Sequence, residues 1–200
     1  MDIIDVRWHI VSNLLDYSTL KNICSTDKYI NNQGSKLFFW KPIFNQYNLP
    51  LPNHDIQTTT GWIKAYIHTI KTTELITAII HKIHVKKSDL KFFTINFIMK
   101  NKNVLFNDVK PMIQDIEILD PTQFKKVSSS NKIKNKYIIR SIMVQKLKDE
   151  YLIKWYIAKQ KMLYDSKFID SKANYTQMTI IIYNILYNYK NYRIKYNSYF

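Results

Sequence analysis

The chain has 200 residues, 46% of them hydrophobic and 22% charged, with a net charge of +15. That mixture supports a buried core and excludes a chain disordered throughout. Two glycines in the whole chain exclude the glycine-rich loops that cradle phosphates or dinucleotides.

Taken in order, Ile4 to Leu15 reads as a first helix, with Val6, Ile10, Val11, Leu14 and Leu15 on one face. Ser18 caps a short second helix that turns Leu20, Ile23 and Cys24 inward. Lys28 to Gln33 forms a third turn, stopped at Gly34. Lys36 to Trp40 follows, and Pro42 opens a new turn, since proline is tolerated at a helix start. Pro50 and Pro52 then interrupt helix. Charge is nearly balanced up to this point and strongly positive beyond it. The expected organisation is therefore a module at 1–52 and a basic, mostly helical domain at 53–200.

In the second region, Thr60 caps Trp62 to Ile70 and Thr73 caps Glu74 to Val85. Ser88 caps a helix from Asp89 to Lys100 with Leu90, Phe93, Phe97 and Ile98 apolar. Residues 101–124 read either way, with Val104-Leu105-Phe106 as a short strand. A linker at 125–135 contains Lys125, Lys126, Lys132 and Lys134 and no acid. A long amphipathic helix is expected from Lys136 to Tyr164, on a stripe that includes Ile138, Ile142, Leu147, Leu152 and Trp155. A last helix is expected from Lys172 to Lys190. Few glycines mean few tight hairpins, so the fold class expected is mainly α: a three-helix module followed by a helical C-terminal domain.

The N-terminal segment resembles the F-box, on particular residues. Leu14-Leu15-Asp16-Tyr17-Ser18-Thr19-Leu20 stands where the family has its Asp-Leu turn. Ile23-Cys24-Ser25-Thr26-Asp27-Lys28 stands at its middle, and Phe39-Trp40-Lys41-Pro42-Ile43-Phe44 at its terminal Trp-Lys element. Trp62-Ile63-Lys64-Ala65-Tyr66 matches a second Trp-Lys-x-x-Tyr element found in F-box-like proteins of large AT-rich DNA viruses. The family's usual Leu-Pro opening is replaced by Ile4-Asp5-Val6-Arg7-Trp8. The resemblance covers about the first third of the chain. It implies a docking module that binds Skp1 of a cullin-based ubiquitin ligase, with Trp8, Ile10, Leu14, Leu20, Trp40 and Ile43 divided between core and partner. The alternative reading places each of these in the core alone. The region beyond would hold an unknown target protein.

The chemistry-bearing residues are sparse. His81 and His84 are three apart on an expected helix and find no third metal ligand. Cys24, the only cysteine, is expected as a packed thiol beside no partner for a disulfide, which fits a reducing compartment. No catalytic residue, cofactor or metal site is expected. No signal peptide or membrane span is read, so the expected location is intracellular, in cytoplasm or nucleus, within a host cell if the chain is viral. The runner-up reading is a basic structural or nucleic-acid-associated protein. It rests on Lys125, Lys126, Lys132 and Lys134 as a polyanion-binding set and on C-terminal tyrosines, Tyr187 to Tyr199, interleaved with Lys190, Arg193 and Lys195. AT-rich coding, which favours Lys, Asn, Ile and Tyr, is the plain alternative for both. Arginine stands only at Arg7, Arg140 and Arg193, too few for sequence-specific base reading.

Overall fold

The computed structural model describes residues 17–26, 28–46, 48–52, 55–85, 90–98, 104–128, 137–159, 162–189 and 192–198. The chain forms two compact units, Met1–Leu75 and Ile76–Phe200. The expected first helix, Ile4 to Leu15, lies outside the described residues.

The first unit contains helices α1 (Tyr17–Thr26), α2 (Lys28–Gln33), α3 (Leu37–Gln46) and the opening turns of α4 (Thr59–Val85). Helix α3 runs through Pro42 instead of restarting there. It ends where the Leu49 amide donates to the Phe44 carbonyl at 2.8 Å. Asn48 takes the left-handed conformation there, φ 51°, which Asn tolerates better than most residues. Helix α4 is capped by Thr58, not Thr60: its Oγ1 accepts from the Gly61 amide at 3.1 Å. No second helix starts at Thr73. The Thr72 hydroxyl donates back to the His68 carbonyl at 2.8 Å, and a threonine bonded this way continues a helix.

This unit's core is aromatic. Trp40 is fully buried, with Phe44, Ile43, Ile63 and Tyr66 beside it. Trp40 stacks on Trp62 with centroids 6.1 Å apart and planes 10° apart, and Phe44 meets Tyr66 edge-on at 5.6 Å. The Trp40 indole donates to the Gly34 carbonyl at 2.6 Å, and the Trp62 indole to the Ser35 carbonyl at 3.1 Å. The core thus reaches past the Pro50–Pro52 break to recruit the first turns of α4.

The second unit overturns the expected helical C-terminal domain. Its centre is a seven-stranded antiparallel sheet. The elements are β1 (Leu90–Phe97), β2 (Val104–Leu105), α5 (Phe106–Gln114), β3 (Glu117–Ile118), α6 (Pro121–Ser128), β4 (Tyr137–Lys146), β5 (Tyr151–Lys159), β6 (Met162–Ala173), α7 (Tyr175–Asn188) and β7 (Tyr192–Ser198). The order across the sheet is β3-β6-β5-β4-β1-β7, with β2 pairing the start of β4. The helix expected over Asp89 to Lys100 is strand β1. The helix expected over Lys136 to Tyr164 is β4, β5 and the start of β6. Burial in β4 and β5 alternates with period two, Ile142 and Val144, then Tyr151, Ile153, Trp155 and Ile157, which is strand periodicity in β-branched and aromatic residues. The turn between them needs no glycine; the Leu147 amide donates to the Glu150 carbonyl at 2.8 Å.

Register separates the two faces. Val144 lies opposite Phe93 and Ile153, and Ile142 opposite Ile95 and Trp155. All are fully buried. On this inner face the Trp155 indole donates to Ser171 Oγ at 2.9 Å, and that hydroxyl donates to the Ile153 carbonyl at 3.2 Å. The helices supply the second layer through Phe106, Val109 and Ile113 of α5 and Met178, Ile181, Ile182, Ile185 and Leu186 of α7. Helix α7 begins later than the expected Lys172, because β6 runs to Ala173. A reciprocal cap then starts it: Asn174 Oδ1 accepts from the Gln177 amide at 2.9 Å, and the Asn174 amide donates to Gln177 Oε1 at 3.0 Å.

Candidate functional site

The expected docking residues separate. Trp8, Ile10 and Leu14 lie outside the described residues. Leu20 is in α1, and its side chain is likewise outside them. Trp40 and Ile43 are interior groups, 0% and 1% exposed, so they build the unit's core and present nothing to a partner. Helical period explains this: Phe39, Trp40, Ile43 and Phe44 share the inward side of α3. Exposed on α3 are Leu37, its first residue, at 52% and Phe38 at 62%, with Lys36 Nζ 5.7 Å from the Phe38 ring. The two continue the apolar run Leu37-Phe38-Phe39-Trp40, so the sequence does not set them apart. The phase set by Trp40 turns Phe38 outward, and Leu37 is exposed at the helix start. Cys24 is buried in this core.

Lys125 and Lys126 are exposed on the last turn of α6, so the expected linker begins as helix. Lys132 and Lys134 lie outside the described residues. Asp120 caps α6 by accepting from the Thr122 hydroxyl at 2.5 Å and from the Thr122 and Gln123 amides at 3.1 and 3.2 Å. Those bonds, the Thr122 hydroxyl first, hold its carboxyl below the ordinary aspartate value.

Of the C-terminal tyrosines and cations, those described in β7 fall on its two faces. Strand β7 has period two, so Tyr192, Ile194 and Tyr196 lie opposite Phe97, Ile95 and Phe93 on the inner side. Arg193 and Lys195 lie opposite Asn96 and Thr94 on the other face. Burial pushes the Tyr192 and Tyr196 phenols up, and Lys82 of α4 stands 4.5 Å from the Tyr196 ring.

That other face of the sheet brings residues of two expected helices together with Phe168, Asp170, Arg193 and Lys195 from outside them. Cross-strand rows run Phe168, Tyr156, Ser141, Asn96, Arg193 and, next to it, Asp170, Lys154, Met143, Thr94, Lys195. None of these is buried. Phe168 is 60% exposed, and its ring leans on Tyr156 at 5.0 Å with planes 36° apart. Lys154 pairs with Asp170 at 3.3 Å and Lys172 with Glu150 at 3.6 Å.

A cleft of about 250 Å³ lies between α5 and the end of α7, lined by Asp108, Val109, Met112, Asn184, Asn188 and Tyr189. Its polar pair is engaged: the Tyr189 hydroxyl donates to Asp108 Oδ2 at 3.0 Å. Burial, then this bond, pushes the phenol far above its ordinary value. Among the described residues no three His, Cys, Asp or Glu side chains gather as metal ligands, and His81 is exposed on α4. No helix among them is long and apolar enough to cross a membrane. The chain matches no protein-family model, no curated protein and no solved structure.

Proposed function

We propose that this chain is a protein-interaction adaptor whose helical first unit, Met1–Leu75, docks onto a Skp1-like protein of a cullin-based ubiquitin ligase, while the second unit, Ile76–Phe200, holds a target. One observation carries the reading. The first unit closes its aromatic core with Trp40, Phe44, Trp62 and Tyr66 and still leaves Leu37 and Phe38 in water. Adjacent exposed leucine and phenylalanine side chains, rimmed by Lys36 and Lys41, resemble the aromatic anchor and polar rim of a docking patch. The F-box resemblance of the same segment supplies the partner's identity. Trp40 and Ile43 serve this role indirectly, by fixing the rotation of α3 that puts Phe38 outside.

The test is co-elution of the full chain with purified Skp1 on size exclusion. Wild type is expected to co-elute, and Phe38→Glu and Leu37→Asp to lose the complex while keeping the helical circular dichroism of the free protein. Absence of a complex with folded wild type, or a complex indifferent to both substitutions, overturns the reading.

A further inference from the structure

We propose that the open face of the sheet in the second unit binds single-stranded nucleic acid, with bases stacking on Phe168 and Tyr156 and phosphates held by Lys154, Arg193 and Lys195. The proposal is independent of the docking role of the first unit.

A solvated sheet face normally presents polar side chains. Here Phe168 stands 60% exposed in the middle of β6, against the half-buried Tyr156 ring on β5. The exposed Phe168 ring beside Tyr156 offers π surface that any base can stack on, because every base has a π-face. The cations sit where a strand crossing the sheet would put its backbone. Lys154 is in the row next to Tyr156, and Arg193 and Lys195 project from β7 on the same face. Phe168 and Arg193 end one row of five strands. Four inter-strand steps of about 4.8 Å put them about 19 Å apart, and aromatic sheet platforms of this size stack roughly two or three bases.

Charge complementarity selects the occupant. Arg193 and Lys195 are exposed and have no acidic partner among the described residues. Lys154 is held only by a half-exposed bridge to Asp170, the kind of pair that contributes little and exchanges readily for a phosphate. The chain's +15 charge draws the same ligand from a distance. A duplex hides its base faces in the stack, so the single strand fits both features and the duplex only the charge.

Fluorescence anisotropy of the full chain with labelled oligo(U) and oligo(dT) of about a dozen nucleotides tests this, beside a hairpin duplex of equal phosphate number. Single strands of either sugar are expected to bind more tightly than the duplex. Phe168→Ala is expected to weaken them by about 5-fold to 150-fold with an unchanged salt slope, and the duplex not at all. Phe168→Leu, which keeps apolar cover on the sheet but no π-face, is expected to weaken them likewise. Arg193→Glu with Lys195→Glu is expected to weaken binding and flatten its salt dependence. Three results overturn the proposal: no single-strand binding, equal duplex binding indifferent to Phe168, or displacement of the oligonucleotide by polyglutamate at equal charge, which would mark an acidic protein segment as the ligand.

Discussion

Trp40→Ala separates a core role from a docking role at the residue that the F-box resemblance marks most strongly. Trp40 is fully buried, stacked on Trp62, and bonded through its indole to the buried Gly34 carbonyl. Truncating a buried tryptophan to alanine costs about 3–5 kcal/mol in lost transfer and cavity energy. The Gly34 carbonyl loses its partner, which adds about 1 kcal/mol. The expected loss is therefore about 4–6 kcal/mol, comparable with the whole stability of a small unit. Phe38→Ala, by contrast, changes a side chain that is 62% exposed and should shift stability by less than about 0.5 kcal/mol. Urea unfolding followed by far-ultraviolet circular dichroism, with hydrogen exchange of residues 28–70 to isolate the first unit, reads both. A Trp40→Ala loss below about 2 kcal/mol would refute the reasoning, because a side chain so cheaply removed is not the centre of a core.

Three further outcomes follow from the structure. Gly61→Ala should lower the melting temperature although alanine favours helix by about 1 kcal/mol, because the new Cβ would stand 2.8 Å from Ile56 Cγ2 and 2.9 Å from Thr58 Oγ1; a rise would show that the loop before α4 yields easily. Ser171→Ala should cost the second unit about 1–3 kcal/mol in urea, since it strands the buried Trp155 indole; a neutral result would mean that the indole finds another acceptor. Burial raises the phenols of Tyr151, Tyr192 and Tyr196 in the folded chain, so folding favours their protonated forms. That stability is complete below the unfolded tyrosine value of about 10 and is lost as pH rises through the higher folded values. Tyrosinate absorbance and circular dichroism recorded together should show these phenols ionising as the sheet unfolds, not before.

The helices of the first unit were legible because their signals are local. Among the described residues, Gly34 and the apolar spacing of α3 lie within a turn or two of what they decide; α3 ran on through Pro42, Thr58 displaced Thr60 as the cap, and α4 ran on through Thr73, carrying the first unit to Leu75 and not ending it at residue 52. The sheet was illegible for a physical reason. Tyr137-Ile138-Ile139 and Trp155-Tyr156-Ile157-Ala158 carry apolar side chains on consecutive positions, because both faces near the strand ends hold apolar groups, and such runs satisfy a helical stripe as well as a strand. Composition added to the error, since the β4–β5 turn, Leu147 to Glu150, closes without the glycine that hairpins commonly use. The candidate sites suffered in the same way. Arg193 and Lys195 lie close in sequence to Tyr192 and Tyr196 but on the opposite side of a strand, whereas Phe168 and Tyr156, distant in sequence, meet only through the β5–β6 register. In α3, the sequence leaves Trp40 and Ile43 divided between core and partner because large aromatic and aliphatic residues anchor interfaces and cores alike; both are buried, and the exposed pair is Leu37 and Phe38.

Hydrogen exchange of the full chain with and without saturating Skp1 tests the adaptor claim most directly. The account predicts added protection in residues 28–46, centred on Lys36 to Lys41, with the sheet strands from Tyr137 to Ala173 unchanged. Protection confined to the sheet, or none anywhere, would contradict it.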